Sequence, residues 1–530
     1  MAVALALASI DSPPARSQDV MTPPPAEEMA TEEVIADEAD AGVPPVIDAA
    51  EPIPTDQDER AVWLTRRAGA VIDGRAPQIA TARFGVAVLD ATTGSPLYLH
   101  DSDGRYNLAS VTKVLTSSAA LARLGPDFRW RTAVYAERFN PITGEVAGDL
   151  FVRGRGDPVL TSADLRSLAR DLRRAGVRTV RGGLVFDGSY FDDVTEPPLF
   201  AEQPKERAGF RAPIGAFAVD GNQVTVVVEP NPAGFGQAAV HLEPAGGDYV
   251  ELTRAEVATI ANGRTRMRVD TKVTRAGERD KITIAVAGQL RVDEGVWDTQ
   301  RRIDDPIELA SEVLREALTA EGIRLDVRRA SKGTVPRTGR ILAVHESPAL
   351  VDVVRTMNKH SNNFIAETLL KTLGAETRAI PGPATWEDGL AAMRRWLIDE
   401  VGLAEGSFRI GNGSGLFGAT DFTPVQVTQI LLAVHRNYRV GPDLTASLAV
   451  LGIDGTLRRR LLESPARGRV RAKTGTLASV STLAGFAAID GRRPLVFAIL
   501  VNDIPNGQRG YARVVQDALL EAVVAYLDGA

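Results

Sequence analysis

Apolar residues recur every three to four positions in "DERAVWLTRRAGAVID", after a charged first turn, and predict an opening helix. The period then changes. "FGVAVLDATTGSPLYLHDSD" reads as two strands joined by a turn at Thr93-Gly94-Ser95. "ASVTKVLTSSAALARLG" returns to helical spacing and stops at Gly125, a residue suited to closing a helix. "FRWRTAVYAERF" is strand-like, and from there to about residue 300 short alternating runs rich in Val, Thr and Gly dominate, such as "NQVTVVVEPN" and "KITIAVAGQLRVDEG". Helical spacing resumes in "DPIELASEVLREALTAEG" and "SPALVDVVRTMNKHSNNFIAETLLKTLG". Near the end, "GRVRAKTGTLASVSTLAGFAAIDGRRPLVFAILVND" predicts three adjacent antiparallel strands, and "GYARVVQDALLEAVVAYLDG" a last helix.

Helices therefore flank a sheet at both chain ends, with β-rich matter between. That order predicts an α/β domain made of residues 59–137 and 340–530, interrupted over 138–339 by one or two β-rich modules. A chain of 530 residues exceeds what one core usually holds, which agrees with more than one unit. Residues 1–58 follow no such pattern. Ser17 to Glu59 holds 13 Asp or Glu and no Lys or Arg, interleaved with "TPPPAEE" and "EPIPT", which predicts a disordered acidic leader. Ahead of it, "MAVALALASI" resembles the apolar part of a secretory signal without its charged start, and predicts a signal beginning upstream of Met1.

Composition mostly excludes. The net charge of −7 offers no basic face for nucleic acid, and no run of about 18 apolar residues predicts a membrane span. The absence of Cys rules out disulfides, thiolate metal sites and a Cys nucleophile, and five scattered His predict no metal centre. Lysine is scarce, with eight residues against 53 Arg, so a lysine needed for chemistry should stand out.

Ser110 and Lys113 stand out in this way, being three residues apart at the start of a helix and so on one face of it. A neutral lysine there could take the proton of the hydroxyl, provided burial or a second cation depresses its pKa. Two further tripeptides strengthen the reading. Ser361-Asn362-Asn363 precedes a helix it could simply cap, and Lys473-Thr474-Gly475-Thr476 ends a predicted strand, where glycine would let a substrate backbone approach. Each has a structural explanation alone; the three in this order do not.

The triple resembles that of penicillin-binding proteins and serine β-lactamases. Its spacing, 251 residues from Ser110 to Ser361 and 112 from there to Lys473, resembles the S13 peptidases, the low-molecular-mass class C penicillin-binding proteins. Supporting stretches include "VRGRGDPVL", "RAPIGAFAVDGN", "NGSGLFGATDFTP" and "GIDGTLRRRL". The resemblance implies a transpeptidase-like fold, an antiparallel sheet flanked by helices, and a D-Ala-D-Ala carboxypeptidase or endopeptidase of peptidoglycan that β-lactams acylate. It implies Ser110 as nucleophile, Lys113 as base and Ser361 as proton donor to the leaving amine. Asn363 would hold Lys113 and the substrate amide, and Lys473 would supply positive charge that helps keep Lys113 neutral. Thr474 and Thr476 would bind the terminal carboxylate beside Gly475, with the N–H groups of Ser110 and Thr476 as oxyanion hole. It implies no cofactor, and a periplasmic or secreted location.

The chain departs from the family at Asn412-Gly413-Ser414-Gly415-Leu416-Phe417-Gly418, where relatives carry Asp-Gly-Ser-Gly-Leu-Ser-Arg. Lys205, Glu206 and Arg211 occupy the region where many relatives have a Trp and paired Asp, which leaves the preference for the third stem-peptide residue open. Competing readings are a serine β-lactamase or esterase, and a catalytically silent cell-wall scaffold.

Overall fold

Both ends of the chain build the central sheet. In this computed structural model, which describes residues 52–200, 207–276, 279–328 and 330–529, six strands lie in the order Pro96–His100, Arg83–Asp90, Leu495–Asn502, Val480–Ala487, Val470–Leu477 and Ala449–Val450. Every neighbouring pair is antiparallel, and the last three long strands are those the sequence predicts. Strand Leu495–Asn502 shows why they read as unbroken apolar runs. Phe497, Ile499 and Val501 enter one core, while Val496, Ala498 and Leu500 enter another on the opposite face.

The first of these cores is closed by the terminal helices Gln57–Asp73 and Arg509–Asp528, with Trp63, Leu64, Leu519 and Val523 buried between them and the sheet. Here the predicted start of the folded part moves. Asp56 caps the first helix, Ile53 packs on this core and Arg60 donates to Gly529 O at 2.6 Å, so residues 52–58 are part of the fold. The rest of the predicted leader, residues 1–51, lies outside the described residues, as does the signal-like segment.

The opposite face carries the helices Thr112–Leu124, Asn363–Thr377, Trp386–Asp399 and Pro424–His435. Between the two halves, the chain leaves along Arg131–Ala136 and returns antiparallel along Arg340–Glu346, with Arg131 facing Glu346. Ser347 Oγ accepts from Trp130 N at 3.0 Å and clamps the two crossings together. This pairing brings Ser110 and Ser361 to one place despite their separation in sequence. A third core gathers residues from Val134 to Ala343. It includes the helix Ser162–Arg174, which the β-rich reading passes over; a reciprocal Thr161–Asp164 capping box starts it, and Leu165, Leu168, Ala169 and Leu172 line its buried side. Not all of the middle stretch stays there. Phe191, Ala212, Ile214, Ala216 and Ala218 pack into the helical core beside the nucleophile helix.

Candidate active site

Ser110 sits in a short 3-10 turn, Ala109–Val111, that runs into the helix Thr112–Leu124. Ala109 holds φ 46°, a left-handed conformation costly for a residue with a Cβ. Asn107 Oδ1 accepts from Ala109 N at 2.8 Å, and Thr112 Oγ1 donates to Ala109 O at 2.7 Å. Asn502, at the end of a central strand, bonds both N and O of Asn107. The turn is thus strained and tied on both sides.

Lys113 follows within the first helical turn and is fully buried. Its Nζ lies 2.9 Å from Ser110 Oγ, 2.7 Å from Asn363 Oδ1 and 3.1 Å from Ser414 O. Burial lowers its pKa to about 7, against the pull of Glu367, whose charge raises it. Among the described residues Asn363 Nδ2 has no acceptor, so it is a donor left over at the site.

The Ser-x-Asn tripeptide divides its labour. Asn362 caps the helix Asn363–Thr377 by accepting from Ile365 N at 2.9 Å, the structural role its sequence suggests. Ser361 and Asn363, on either side, point into the site. Ser361 ends the helix Leu350–His360 in the left-handed region, at φ 56°, and its Oγ accepts from Lys473 Nζ at 2.8 Å. Lys473 is buried and also donates to Thr474 O at 2.9 Å. Its pKa is pushed well below the usual lysine range by burial first and by Lys113 second. Burial is thus the first cause of the lowered pKa of both lysines, the desolvation that the sequence reading required of Lys113.

Strand Val470–Leu477 runs past this pair with an open outer edge. Its outer neighbour, Ala449–Val450, pairs only with Ala472 and Arg471. Val470 O faces that edge, accepting from Leu451 N at 3.0 Å, so the two-residue period turns the N–H of Thr476 the same way, toward the cleft. Thr476 is exposed, while Thr474 Oγ1 donates to Thr456 Oγ1 at 2.8 Å. Gly475 has a packing reason of its own to be a glycine. A Cβ there would lie 2.2 Å from Thr482 Oγ1, 2.6 Å from Leu108 O and 3.0 Å from Ser110 N, so the glycine makes room for the nucleophile turn itself.

Two features escaped the sequence reading. The segment Asn412–Gly415, set aside because it departs from the family pattern, supplies the Ser414 carbonyl to Lys113. Behind it is Glu367, buried one turn after Asn363, accepting from Gly413 N at 3.1 Å and Ser414 N at 2.8 Å. Its only sequence signal is the four-residue interval from Asn363. Arg211 is buried between the rings of Phe200 and Phe417 and bridges to Glu196, whereas Lys205 and Glu206 lie outside the described residues.

Comparisons with known proteins give the family and the fold. The profile of the D-Ala-D-Ala carboxypeptidase 3 (S13) family matches residues 70–522. A D-alanyl-D-alanine carboxypeptidase of Actinomadura sp. strain R39 is 34% identical over 471 residues, covering 85% of this chain and 82% of its own. The carboxypeptidase DacB of Haemophilus influenzae is 26% identical, covering 75% of this chain and 81% of its own. The crystal structure of Haemophilus influenzae penicillin binding protein 4 shares the fold, with TM-score 0.68 and 22% identity over 88% of this chain and 99% of that one.

Proposed function

The chain belongs to the D-Ala-D-Ala carboxypeptidase 3 (S13) family and is a serine-type D-Ala-D-Ala carboxypeptidase, and from that premise we propose how its residues divide the reaction. Ser110 is the nucleophile and Lys113 its general base. One observation carries this assignment: of the three partners of Lys113 Nζ, Asn363 Oδ1 and Ser414 O can only accept. A neutral amine gives them its two hydrogens, and its lone pair is left facing Ser110 Oγ at 2.9 Å. The lysine is held in the orientation a base needs.

Ser110 Oγ adds to the penultimate D-Ala carbonyl carbon while its proton passes to Lys113 Nζ. The N–H groups of Ser110 and Thr476 meet the oxyanion, and loss of one such donor typically costs about 10²–10³ in rate. The C–N bond then breaks. Ser361 gives its proton to the departing amine and is replenished by Lys473, so positive charge leaves one buried lysine as it reaches the other. A water adds to the acyl carbon, its proton returning through Ser361 to Lys473, while Lys113 restores the proton of Ser110. Asn363 Nδ2 holds the substrate amide carbonyl, and Thr474 and Thr476 face the terminal carboxylate.

The substrate is the D-Ala-D-Ala end of peptidoglycan stem peptides, laid along the open edge of Val470–Leu477. D-Ala cross-links fit the same edge, giving an endopeptidase activity, and β-lactams acylate Ser110. Such substrates lie outside the inner membrane, which supports a periplasmic or secreted enzyme. Among the described residues no helix is long and apolar enough to cross a membrane. The test is release of D-Ala from an N-acylated peptide ending in D-Ala-D-Ala, with a cross-linked muropeptide dimer alongside. Release by the full chain and none by Ser110→Ala is expected; equal release by both would overturn the assignment.

A further inference from the structure

Glu367 takes no part in the steps above, yet it is a carboxylate buried to 1% exposure beside a lysine that must be neutral to act. Keeping such a group in a dry interior is costly unless its acceptors are fully used. They are used on two successive peptides: Oε2 accepts from Gly413 N and Oε1 from Ser414 N. The carbonyl that follows, Ser414 O, is an acceptor of Lys113 Nζ. Thr116 Oγ1, one turn along the nucleophile helix from Lys113, fixes the same loop by donating to Gly413 O at 2.7 Å. Gly415, at φ 80°, packs so closely on the serine turn that a Cβ would lie 1.9 Å from Ala109 O. The loop that Glu367 grips therefore touches both the base and the backbone of the nucleophile.

We infer that Glu367 is a positioning residue for the general base: it fixes the 412–414 backbone so that Ser414 O orients Lys113 Nζ, and its carboxylate is the counter-charge beside Lys113. The inference rests on the reading of Lys113 as base. The charged groups around Lys113 are Glu367 from the helix Asn363–Thr377, whose own pKa burial raises against the pull of Ser414, the Gly413 N–H and Lys113, and Lys473 from the strand Val470–Leu477, whose pKa Lys113 lowers; the 412–418 loop contributes only neutral groups.

Two consequences with separate signs follow. Replacing the carboxylate by an amide removes a negative charge, so Lys113 loses its proton at a lower pH and the acid limb of acylation moves acidward. The amide nitrogen cannot accept from a peptide N–H, so the loop loosens and the plateau rate falls. A residue that only filled space would lower the rate without moving the limb.

The experiment is the rate of acylation by a penicillin, followed from acid to alkaline pH, for the full chain and for Glu367→Gln, Glu367→Asp, Thr116→Val and Lys113→Met. For Glu367→Gln a plateau about 10- to 100-fold lower is expected, with a deficit that shrinks as pH falls. Thr116→Val, which loosens the loop without a change of charge, should lower the plateau and leave the limb in place. An unmoved limb in a folded Glu367→Gln, or the same acidward shift in Thr116→Val, would overturn the inference. If Glu367→Gln does not fold, Glu367→Asp decides: a lowered plateau with the limb kept supports the inference, and an unchanged plateau overturns it. Lys113→Met separates the two readings. Acylation at the wild-type rate in that variant would sink Lys113 as base; a dead Lys113→Met with a Glu367→Gln that matches the wild type would sink only the role of Glu367.

Discussion

At the scale of single residues the site turns on how a lysine is kept both dry and directed. With Lys113 near a pKa of about 7, the amine is protonated below that pH and free above it, so acylation should rise through the neutral range. A pH profile of acylation with a slow-reacting β-lactam checks this; a flat profile from pH 5 to 9, on the order of the range where an ordinary lysine stays fully charged, would contradict it. Lys113→Arg, which cannot give up its proton, should lose about 10²–10⁴ in acylation rate. Gly475→Ala makes a different prediction, since its Cβ meets Leu108 O, a backbone atom that cannot swing aside. Acylation should fall because that Cβ crowds the turn carrying Ser110 and its N–H, and unfolding by urea should show a less stable protein. The three motifs were legible because each needs rare residue types at fixed spacing. Glu367 was not, because an acidic residue on a helix ordinarily reads as a solvated one, and only tertiary packing lays the 412–415 loop over it.

At the scale of elements, the helix Asn363–Thr377 organises the site through one buried stripe. Asn363 reaches Lys113, Glu367 the adjoining loop, and Lys371 the segment arriving from the middle of the chain, at intervals of four residues. Lys371 Nζ donates to Asp192 Oδ1 at 2.5 Å and to Val194 O at 2.9 Å, with Phe191 and Trp386 beside it. Four of the eight lysines thus serve the site or its supports, counting Lys359, which bridges to Asp454 at 2.5 Å next to the Ser-x-Asn turn. Lys371→Met should destabilise the protein by roughly 1–3 kcal/mol in chemical denaturation. That is below the roughly 3–5 kcal/mol for breaking a fully buried pair, because Asp192 is 23% exposed and can hydrate. The helix itself was legible from its periodicity. Its start was legible from the polar cap at Ser361-Asn362-Asn363, but the left-handed conformation of Ser361 was not, since that residue is not glycine.

At the scale of the whole molecule, the strand order of the central sheet explains how the sequence could be read from its two ends. The outer thirds carry strong two-sided strands and amphipathic helices, which period alone reveals. The middle was harder, because its helix Ser162–Arg174 is carried by a capping box and four buried positions amid Gly-rich β matter. It is also less separable than its composition suggests. Phe191, Ala212, Ile214, Ala216 and Ala218 lie in the helical core, so a chain joined directly from residue 137 to 340 should fail to give a folded, penicillin-reactive protein. A soluble, reactive product of that excision would contradict this. The claim on which the rest depends is that Ser110 is an activated nucleophile, and the most direct measurement is intact mass with peptide mapping after brief exposure to a penicillin. A single adduct per chain on the peptide holding Ser110, absent from Ser110→Ala, is the predicted result. A folded protein that gains no adduct and turns over no drug would contradict it.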